Sequence, residues 1–415
     1  MNAEIIAIGS ELLTPFRQDT NSLHLTAKLN ELGVEVDFKT VVGDRKPDLV
    51  GAARIAFSRA HIIIFMGGLG PTEDDLTREA VAEALGLELK RDPEIGAALF
   101  AFFASRKVKM PENNLRQADV IAGAEVLKNP RGTAPGQFLE TQYEGRQRLI
   151  MLLPGPPREI LPMFDQQCME RLNARVLAHH IATRVLKIAM IGESDADRRA
   201  APIYTQHTDV QTTILASTGG EVQLHLRTQA PTQEEAQERV DSLASLLEDE
   251  FDEAMFSTRG ESLEQIVGYY LQMRGATLAA AESCTGGMLS ERITSVAGSS
   301  RYFLGGAVVY DNSLKTSMAD VPPLMIAEHG AVSREVATAL AEGIRKRCKA
   351  TLGVGITGIA GPGGGTEQKP VGLVFHAVSD GTTTDVVERR FPGDRDRVRH
   401  WASQQALDMI RRKLM

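Results

Sequence analysis

Short apolar runs that end in glycine-rich or acidic turns recur in the first and last thirds of the chain, with amphipathic segments between them. Glu4 to Ile8 is typical of a buried strand, and Asn21 to Leu32 carries leucines at helical spacing. His61 to Met66 is a further strand, and Ala276 to Ala280 and Leu352 to Ile356 repeat the pattern near the other end. This alternation predicts α/β domains on parallel, doubly wound sheets, which bind ligands at the carboxyl ends of their strands.

The pattern changes near residue 180. Arg184 to Ile191 and Glu221 to Arg227 are predicted to be exposed edge strands, and Thr232 to Glu250 a highly charged amphipathic helix. A chain of 415 residues is too long for one core. We therefore predict two doubly wound, three-layer α/β/α domains joined by a small α+β module. The first domain is predicted to cover residues 1–172 and the second residues 260–415, with the α+β module between them at residues 180–256.

Charge and composition argue against several classes of partner and location. Net charge is −8, with a dense basic tract only near the C-terminus, which argues against general electrostatic capture of nucleic acid. Three widely spaced cysteines fit a reduced compartment, and the first residues lack the basic start of a signal peptide. No apolar run reaches the roughly 18 residues of a membrane span. We expect a soluble, cytoplasmic protein that does not contact a membrane.

Three chemically useful residues each follow a predicted strand in the last third of the chain. Ser283 lies at a strand-to-helix turn, Lys315 follows the Asp311-Asn312 turn, and Thr357 opens a glycine-rich loop. Each has an ordinary alternative: a helix cap for the serine, a solvated lysine, and a loop that only turns the chain. Spacing alone favours these alternatives.

A serine alone is a weak nucleophile and needs a base to take its proton. The three histidines of this part of the chain, His329, His376 and His400, show no pairing with a carboxylate. A desolvated lysine has a lowered pKa and acts as a neutral base, which favours Lys315. Thr357 and the amides of residues 358–361 are candidates for an oxyanion hole, and Arg395 and Arg399 for an anion clamp.

The segment Ala281–Gly287 closely resembles the C-terminal domain of the CinA family, which includes the nicotinamide-mononucleotide deamidases. The resemblance covers residues 262 to 412. The further segments that carry it are Ala297–Ser300, Tyr310–Lys315, His329–Ser333, Thr357–Pro362 and Pro392–Asp396.

The resemblance implies a Ser/Lys amidohydrolase that turns nicotinamide mononucleotide and water into nicotinic acid mononucleotide and ammonia, without a cofactor. It implies Ser283 as the nucleophile and Lys315 as the base, with Tyr310 and Thr357 shaping the site. The substrate-binding positions that it implies, with the arginines holding the 5′-phosphate, are Thr285, Gly286, Gly358, Arg395 and Arg399.

A glycine turn and several carboxylates follow strands in the first third of the chain. Residues 67–70 (Gly-Gly-Leu-Gly) suit a phosphate cradle, although a simple tight turn is an equal alternative. Carboxylates from three strand ends suit a hard divalent cation, whereas acidic residues in a first helical turn often only balance the helix dipole. The carboxylates concerned are Glu11, Asp44, Glu73, Asp74 and Asp75.

Residues 1 to 170 resemble the molybdopterin-binding-like N-terminal domain of the CinA family. The matching segments are Gly9–Leu13, Asn21, Val42–Asp44, Gly67–Thr77, Gly132–Gly136 and Leu153–Pro157. The resemblance implies metal-dependent hydrolysis of ADP-ribose to AMP and ribose 5-phosphate. It implies a divalent metal of unspecified identity, with K+ as a further candidate ion. The metal positions it implies are Asp44, Asp75, Asp74 and Glu11, and the substrate positions Asn21, Gly68 and Gly70.

The middle module resembles the KH-like linker of full-length CinA proteins, but it lacks the Gly-x-x-Gly clamp that grips nucleic acid. We expect a structural or dimerising role for it, and a homodimer. Both implied substrates, nicotinamide mononucleotide and ADP-ribose, derive from NAD, which makes recycling of pyridine nucleotides coherent. Two alternatives are a non-enzymatic competence or DNA-damage adaptor and a molybdopterin-binding protein without catalysis.

Overall fold

The structure is a computed structural model that describes residues 1–176, 179–217 and 219–415. Contacts divide the chain into two compact units. The first unit is Met1–Ile181 with Gln229–Ala236, and the second is Ala182–Thr228 with Gln237–Met415. The two units are treated separately below.

The first unit alternates strands and helices as predicted. Its strands are β1 (Asn2–Ile8), β2 (Glu35–Val42), β3 (Ile62–Met66), β4 (Leu89–Arg91), β5 (Asp119–Ile121), β6 (Glu125–Leu127), β7 (Gly136–Tyr143) and β8 (Arg146–Leu153). Its helices are α1 (Asn21–Glu31), α2 (Lys46–Arg59), α3 (Thr77–Leu85), α4 (Pro93–Ser105), α5 (Pro157–Met163) and α6 (Met169–Asn173).

The main sheet of this unit is mixed, with strand order β2-β1-β3-β8-β7-β6. Its first four strands are parallel, as predicted, but β7 and β6 are antiparallel. The expectation of a wholly parallel sheet is wrong at this edge because β7 and β8 are joined by a two-residue turn. Glu144 and Gly145 both have positive φ (50° and 74°), the geometry that closes an antiparallel hairpin.

Helices cover both faces of this sheet. Strand residues such as Ile6 and Phe65 pack with α2 and α3, whereas their neighbours Ile5 and Ile64 pack with α1 and α5. This period-2 division confirms the three-layer arrangement. Strand β1 lies between β2 and β3, and α1 and α2 make the two crossovers on opposite faces. The loop after β1 therefore lies at a topological switch point, where α/β sheets open a crevice.

A four-stranded sheet comes next along the chain. Its strands are β9 (His180–Ala189), β10 (Gln211–Ala216), β11 (Glu221–Ala230) and β12 (Met255–Ser257), and its helices are α7 (Glu193–Tyr204) and α8 (Gln233–Phe251). The order is β10-β11-β9-β12, so β9 and β11 are the central strands and their prediction as edge strands is wrong. Every second residue of β11 is buried. This alternation indicates that one face of the sheet is solvated. Central strands of an antiparallel sheet can show it as well as edge strands, so the alternation does not identify an edge strand.

The last part of the second unit is a second doubly wound sheet. Its strands are β13 (Leu278–Glu282), β14 (Phe303–Val308), β15 (Leu352–Gly358), β16 (Leu373–Ser379) and β17 (Thr384–Arg390). Its helices are α9 (Leu263–Met273), α10 (Met288–Thr294), α11 (Asn312–Ala319), α12 (Pro323–His329), α13 (Arg334–Cys348) and α14 (Arg395–Leu414). The strand order is β14-β13-β15-β16-β17.

This sheet is also mixed, because β14, β13 and β15 are parallel and β16 and β17 are antiparallel. Residues of α9, α10 and α14 pack on one face, and residues of α11 and α13 on the other. Strand β13 is buried over its whole length between β14 and β15. The crossover from β13 to β14 (α10) and the crossover from β14 to β15 (α11 to α13) lie on opposite faces of the sheet, so the loop after β13 is a second switch point.

A buried ion pair anchors α14. Arg411 and Asp408 are each 2% exposed, and Nη2 of Arg411 lies 2.7 Å from a carboxylate oxygen of Asp408. Nε of Arg412 lies 2.9 Å from the other oxygen. Arg411 is therefore enclosed, and its charge depends on its carboxylate partner.

Replacement of Asp408 by alanine is expected to lower the free energy of unfolding by about 3–5 kcal/mol, because it leaves the Arg411 guanidinium buried without its carboxylate. Urea denaturation measures the change. Asp249→Ala is the matched control, since Asp249 is an exposed aspartate of another helix and is expected to stay within about 0.5 kcal/mol of wild type. Equal stability of the two variants would refute the structural role of the pair.

Candidate active sites

The loop after β13 carries Ser283. Its backbone N–H donates to the Ile356 carbonyl at 2.9 Å, and its carbonyl accepts from Gly286 at 3.1 Å. Gly286 and Gly287 have φ values of +61° and +94°, which suit glycine. The cap of α10 is Gly287, four residues beyond Ser283. The structure therefore contradicts the alternative that Ser283 is a helix cap, and Ser283 is 8% exposed at the carboxyl end of a central strand.

Glu282 fixes this loop to the start of α10. Its carboxylate is 1% exposed and accepts backbone N–H groups of Gly287, Leu289 and Ser290 at 3.1, 3.0 and 2.8 Å. It also accepts the Ser290 hydroxyl at 2.6 Å. These are donors that the first turn of a helix leaves unpaired. The sequence analysis missed Glu282, although an acidic residue that ends an apolar strand just before a helix was a usable signal.

Lys315 is a buried lysine. It is 2% exposed, and its Nζ donates to the carbonyls of Val309 and Tyr310 at 2.9 and 3.1 Å. Burial lowers the pKa of its ammonium group below the ordinary value of 10.5, against a smaller opposing effect of the Asp311 carboxylate. The alternative of a solvated lysine is therefore wrong.

Ser283 and Lys315 line one cavity of about 260 Å³. The other residues of its lining are Cys284, Tyr310, Asn312, Ala331, Val332, Thr357, Gly358, Ile359, Ala360, Gly361, Gly363, Gly364 and Arg395. The Thr357 hydroxyl donates to the Ala331 carbonyl at 2.7 Å, and the Ile359 N–H to the Leu373 carbonyl at 2.8 Å. These two donors are thus occupied, which leaves the other amides of the glycine-rich loop as oxyanion candidates.

The two arginines predicted to clamp an anion have different positions. Arg395 lines the cavity, and its guanidinium donates to the Gly361 carbonyl at 2.9 Å and the Tyr310 hydroxyl at 3.1 Å. Arg399 donates instead to the carbonyl of the fully buried Thr285, at 3.0 and 3.2 Å, and neither residue belongs to the cavity lining. Arg399 supports the loop that carries Ser283 and Gly286.

Rival nucleophiles and bases near this cavity are poorly suited. Burial raises the pKa of the Cys284 thiol to about 12, which keeps it protonated at neutral pH. Burial lowers the pKa of His376 to about 4, and among the described residues no histidine lines the cavity. Ser283 and Lys315 remain the candidate nucleophile and base in its lining.

A cavity of about 910 Å³ opens at the carboxyl ends of the parallel strands in the first unit. All four predicted metal ligands line it, as do both predicted glycines: Glu11, Asp44, Asp74, Asp75, Gly68 and Gly70. Asn21 lines an adjoining cavity of about 490 Å³, and its side-chain amide donates to the Gly155 carbonyl at 2.8 Å. The structure thus brings the predicted residues of this unit to one edge of the sheet.

The fully buried Arg78 supports the glycine turn. Its guanidinium donates to the carbonyls of Leu69 and Gly70 at 2.9 and 3.1 Å. Gly68 has φ +66°, and a side chain on Gly70 would collide with the Asp75 carboxylate. Arg78 was missed because an arginine in the first turn of a helix carries no signal of burial.

The carboxylates face the cavity without forming a closed cage. Asp44 accepts the Ser10 N–H at 2.8 Å, and Asp75 accepts the Thr72 N–H at 2.9 Å. Within residues 1–176, 179–217 and 219–415, no three His, Cys, Asp or Glu side chains are close enough together to hold a metal ion. Oxygen donors spread around one cavity fit a cation that is shared between one or two carboxylates and a substrate diphosphate.

The fold and these cavities define an α/β protein with two separate candidate sites, each at a switch point. Residues 260–414 match the family described as CinA C-terminal domain, and residues 4–174 match the "Probable molybdopterin binding domain". The chain belongs to the CinA family. Across the described part of the chain, no helix is long and apolar enough to span a membrane.

Relatives match over the whole chain. The CinA-like proteins of Koribacter versatilis and Acidobacterium capsulatum are 65% and 60% identical to it, with all of this chain and all of each relative covered. The crystal structure of the competence/damage inducible protein CihA from Agrobacterium tumefaciens is 37% identical, over 35% of this chain and 90% of that one, with a TM-score of 0.35.

Replacement of Glu282 by glutamine is expected to destabilise the second unit by about 1–3 kcal/mol, because the amide nitrogen cannot accept the N–H groups that now bond to that oxygen. Denaturation monitored by circular dichroism measures the loss. Glu291→Gln, on the exposed side of the same helix, is the control and is expected to have little effect. If both variants matched wild type, the Glu282 carboxylate would not be what holds the loop.

Proposed function

We propose that the cavity of the second unit hydrolyses the amide of nicotinamide mononucleotide to give nicotinic acid mononucleotide and ammonia. The observation that carries the proposal is a serine and a buried lysine of lowered pKa in the lining of one small cavity. The resemblance to the deamidases of the CinA family supports the choice of substrate. Arg395, with its guanidinium at the cavity, is the residue we assign to the 5′-phosphate.

The surroundings of Lys315 suit a neutral base. A neutral amine has two N–H groups and one lone pair. Its two hydrogen bonds, to the carbonyls of Val309 and Tyr310, use both N–H groups of that form and leave the lone pair to accept a proton. The lowered pKa raises the fraction of this form at neutral pH.

The proposed reaction has two halves. Oγ of Ser283 attacks the carboxamide carbon while Lys315 takes the hydroxyl proton, and amides of the glycine-rich loop stabilise the oxyanion. The C–N bond breaks as Lys315 returns the proton to the leaving nitrogen, which departs as ammonia. The nicotinoyl group is then held as an ester on Ser283. Water, deprotonated by Lys315, attacks the carbonyl of this ester. The acid is released and Ser283 regains its proton.

Ser283→Ala and Lys315→Met are each expected to reduce ammonia release by at least about 100-fold, the lower limit for loss of a positioned general base. A coupled ammonia assay measures the rate, and circular dichroism checks that each variant is folded. Lys346→Met, at an exposed position of α13, is the matched control and is expected to keep wild-type activity. Unchanged ammonia release by either site variant would refute the mechanism.

The pH profile tests the base separately. The active form of Lys315 is neutral and its pKa is lowered. We therefore expect kcat/KM to rise with pH, with the midpoint of the rise below 10.5, and to reach a plateau at higher pH. A flat profile, or a midpoint at or above the ordinary lysine value, would contradict the assignment of Lys315 as the base.

We further propose that the large cavity of the first unit hydrolyses ADP-ribose to AMP and ribose 5-phosphate. The observation that favours it is a single cavity lined by a glycine turn, by Arg106, Arg131 and Arg158, and by five carboxylates: Glu11, Asp44, Asp74, Asp75 and Glu159. A divalent cation bound there would offset the charge of the diphosphate and polarise the phosphorus for attack. The residues that would hold it are Asp44 and Asp75, with Asp74 and Glu11 as further ligands.

The residues of this cavity would bind and orient the diphosphate. The glycine turn lets the backbone approach a phosphate oxygen closely. Arg78 stabilises that turn through its hydrogen bonds to the Leu69 and Gly70 carbonyls. The reaction adds the oxygen of one water molecule to one phosphorus and breaks the P–O–P bond. The two protons of water are shared between the phosphate groups of the products and the solvent.

AMP formation from ADP-ribose is expected to fall on the order of 100-fold or more with chelator or in Asp75→Asn, because either change removes cation stabilisation of the transition state. Liquid chromatography measures AMP. The exposed Asp48→Asn is the control and should behave as wild type. AMP formation indifferent to both changes would contradict the proposal, as would a pterin retained by a protein that does not turn over ADP-ribose.

A further inference from the structure

Three cavities of the first unit join into one trench along the carboxyl ends of its strands. The central cavity of about 910 Å³ shares Phe102, Asn129 and Thr133 with a second cavity of about 460 Å³. On its other side it shares Glu11 and Gly155 with the cavity of about 490 Å³ that contains Asn21. We call the second the α4 cavity and the third the Asn21 cavity.

The α4 cavity has a largely apolar wall. Helix α4 is rich in alanine and phenylalanine, yet only Gly96 and Leu99 of it are buried. The apolar residues that it and its neighbours contribute to this cavity are Ile95, Ala98, Leu99, Phe102, Val126 and Pro135. An apolar helix face left at the edge of a polar cavity suits the flat, apolar part of a ligand whose charged part lies in that polar cavity.

Phe102 lies at the junction of the α4 cavity and the central cavity, and its ring is already fixed. The Arg106 guanidinium lies 4.0 Å from the ring centroid, and the Phe103 ring meets it edge to face at 5.6 Å. A ring held in this way loses little conformational entropy when a second aromatic system stacks on it.

The Asn21 cavity is different in character. Its lining contains a run of five hydrogen-bonding side chains at consecutive positions: Arg17, Gln18, Asp19, Thr20 and Asn21. Donors and acceptors of this kind match the hydroxyl groups of a sugar, and no phenylalanine, tyrosine or tryptophan among the described residues lines this cavity.

We propose that the α4 cavity binds the purine base of a nucleoside diphosphate sugar such as ADP-ribose by stacking on Phe102, and that the Asn21 cavity binds its terminal ribose. The diphosphate then lies between them, over the carboxylates of the central cavity. This orientation rests on the proposed pyrophosphatase function and adds to it a specificity for an aromatic base. It also assigns the two ends of the trench to the two products, AMP and ribose 5-phosphate.

The test measures binding of AMP and of ribose 5-phosphate to the full chain by calorimetry, without added metal. Phe102→Ala is expected to raise the Kd of AMP about 5- to 150-fold and to leave that of ribose 5-phosphate unchanged, because stacking on one aromatic ring is lost. Gln18→Ala is expected to raise the Kd of ribose 5-phosphate about 5-fold and to leave the Kd of AMP unchanged. Phe100→Ala is the matched control, since Phe100 is 54% exposed on the same helix and lines neither cavity.

Further variants keep the test decisive. Phe102→Trp retains a stacking surface and is expected to bind AMP as wild type does, whereas Phe102→Leu retains bulk without a ring and is expected to behave as Phe102→Ala. If AMP binds in this Phe102-dependent way but ADP-ribose is not hydrolysed, the base site stands and the pyrophosphatase proposal falls. An AMP affinity that is unchanged in Phe102→Ala would overturn the base site. The same conclusion would follow if Phe102→Ala weakened binding of ribose 5-phosphate and Gln18→Ala weakened binding of AMP. A change of oligomeric state alone in Phe102→Ala would also overturn it, because α4 would then be a contact between copies.

Discussion

Both candidate sites depend on a parallel strand whose two neighbouring strands are reached by crossovers on opposite faces of the sheet. Strand β1 has this position between β2 and β3, and β13 has it between β14 and β15. The following helices diverge, so the loop after each strand opens a crevice rather than a packed corner. Glu11 and Ser283 occupy these two loops. The same geometry thus supports two different chemistries, because it fixes where side chains converge and not which side chains they are.

Arg78, Arg411 and Lys315 are all buried cationic side chains, and the residue type decides whether each one can lose its charge. Arg411 has a carboxylate partner, and Arg78 has two carbonyls, but a guanidinium stays charged in either setting. Lys315 also has two carbonyls as partners, and its pKa is lowered because burial outweighs the opposing effect of the Asp311 carboxylate. The folded state then binds its proton less tightly than the unfolded chain, so stability rises with pH between the lowered pKa and 10.5. A charge that folding disfavours is typical of a functional site rather than of a core.

The alternation of strands and helices was enough to predict both doubly wound sheets and the turns that carry Ser283, Lys315 and the carboxylates. It did not predict which strands run antiparallel, because the Glu144-Gly145 turn was not recognised, and it placed β9 and β11 at edges when they are central. Glu282 and Arg78 were missed for a related reason. Their role is to pair backbone groups of a loop, and that demand exists only once the loop has its three-dimensional shape.

The two cavities differ in charge although both proposed substrates are anions. Arg395 gives the smaller cavity a guanidinium, which suits a phosphate directly. In the larger cavity Glu11, Asp44, Asp74 and Asp75 would repel a diphosphate. Arginines of that lining offset part of the repulsion. The proposed hydrolysis of a diphosphate here would need a cation to offset the remaining repulsion, and the acidity of this cavity is our reason for proposing a metal.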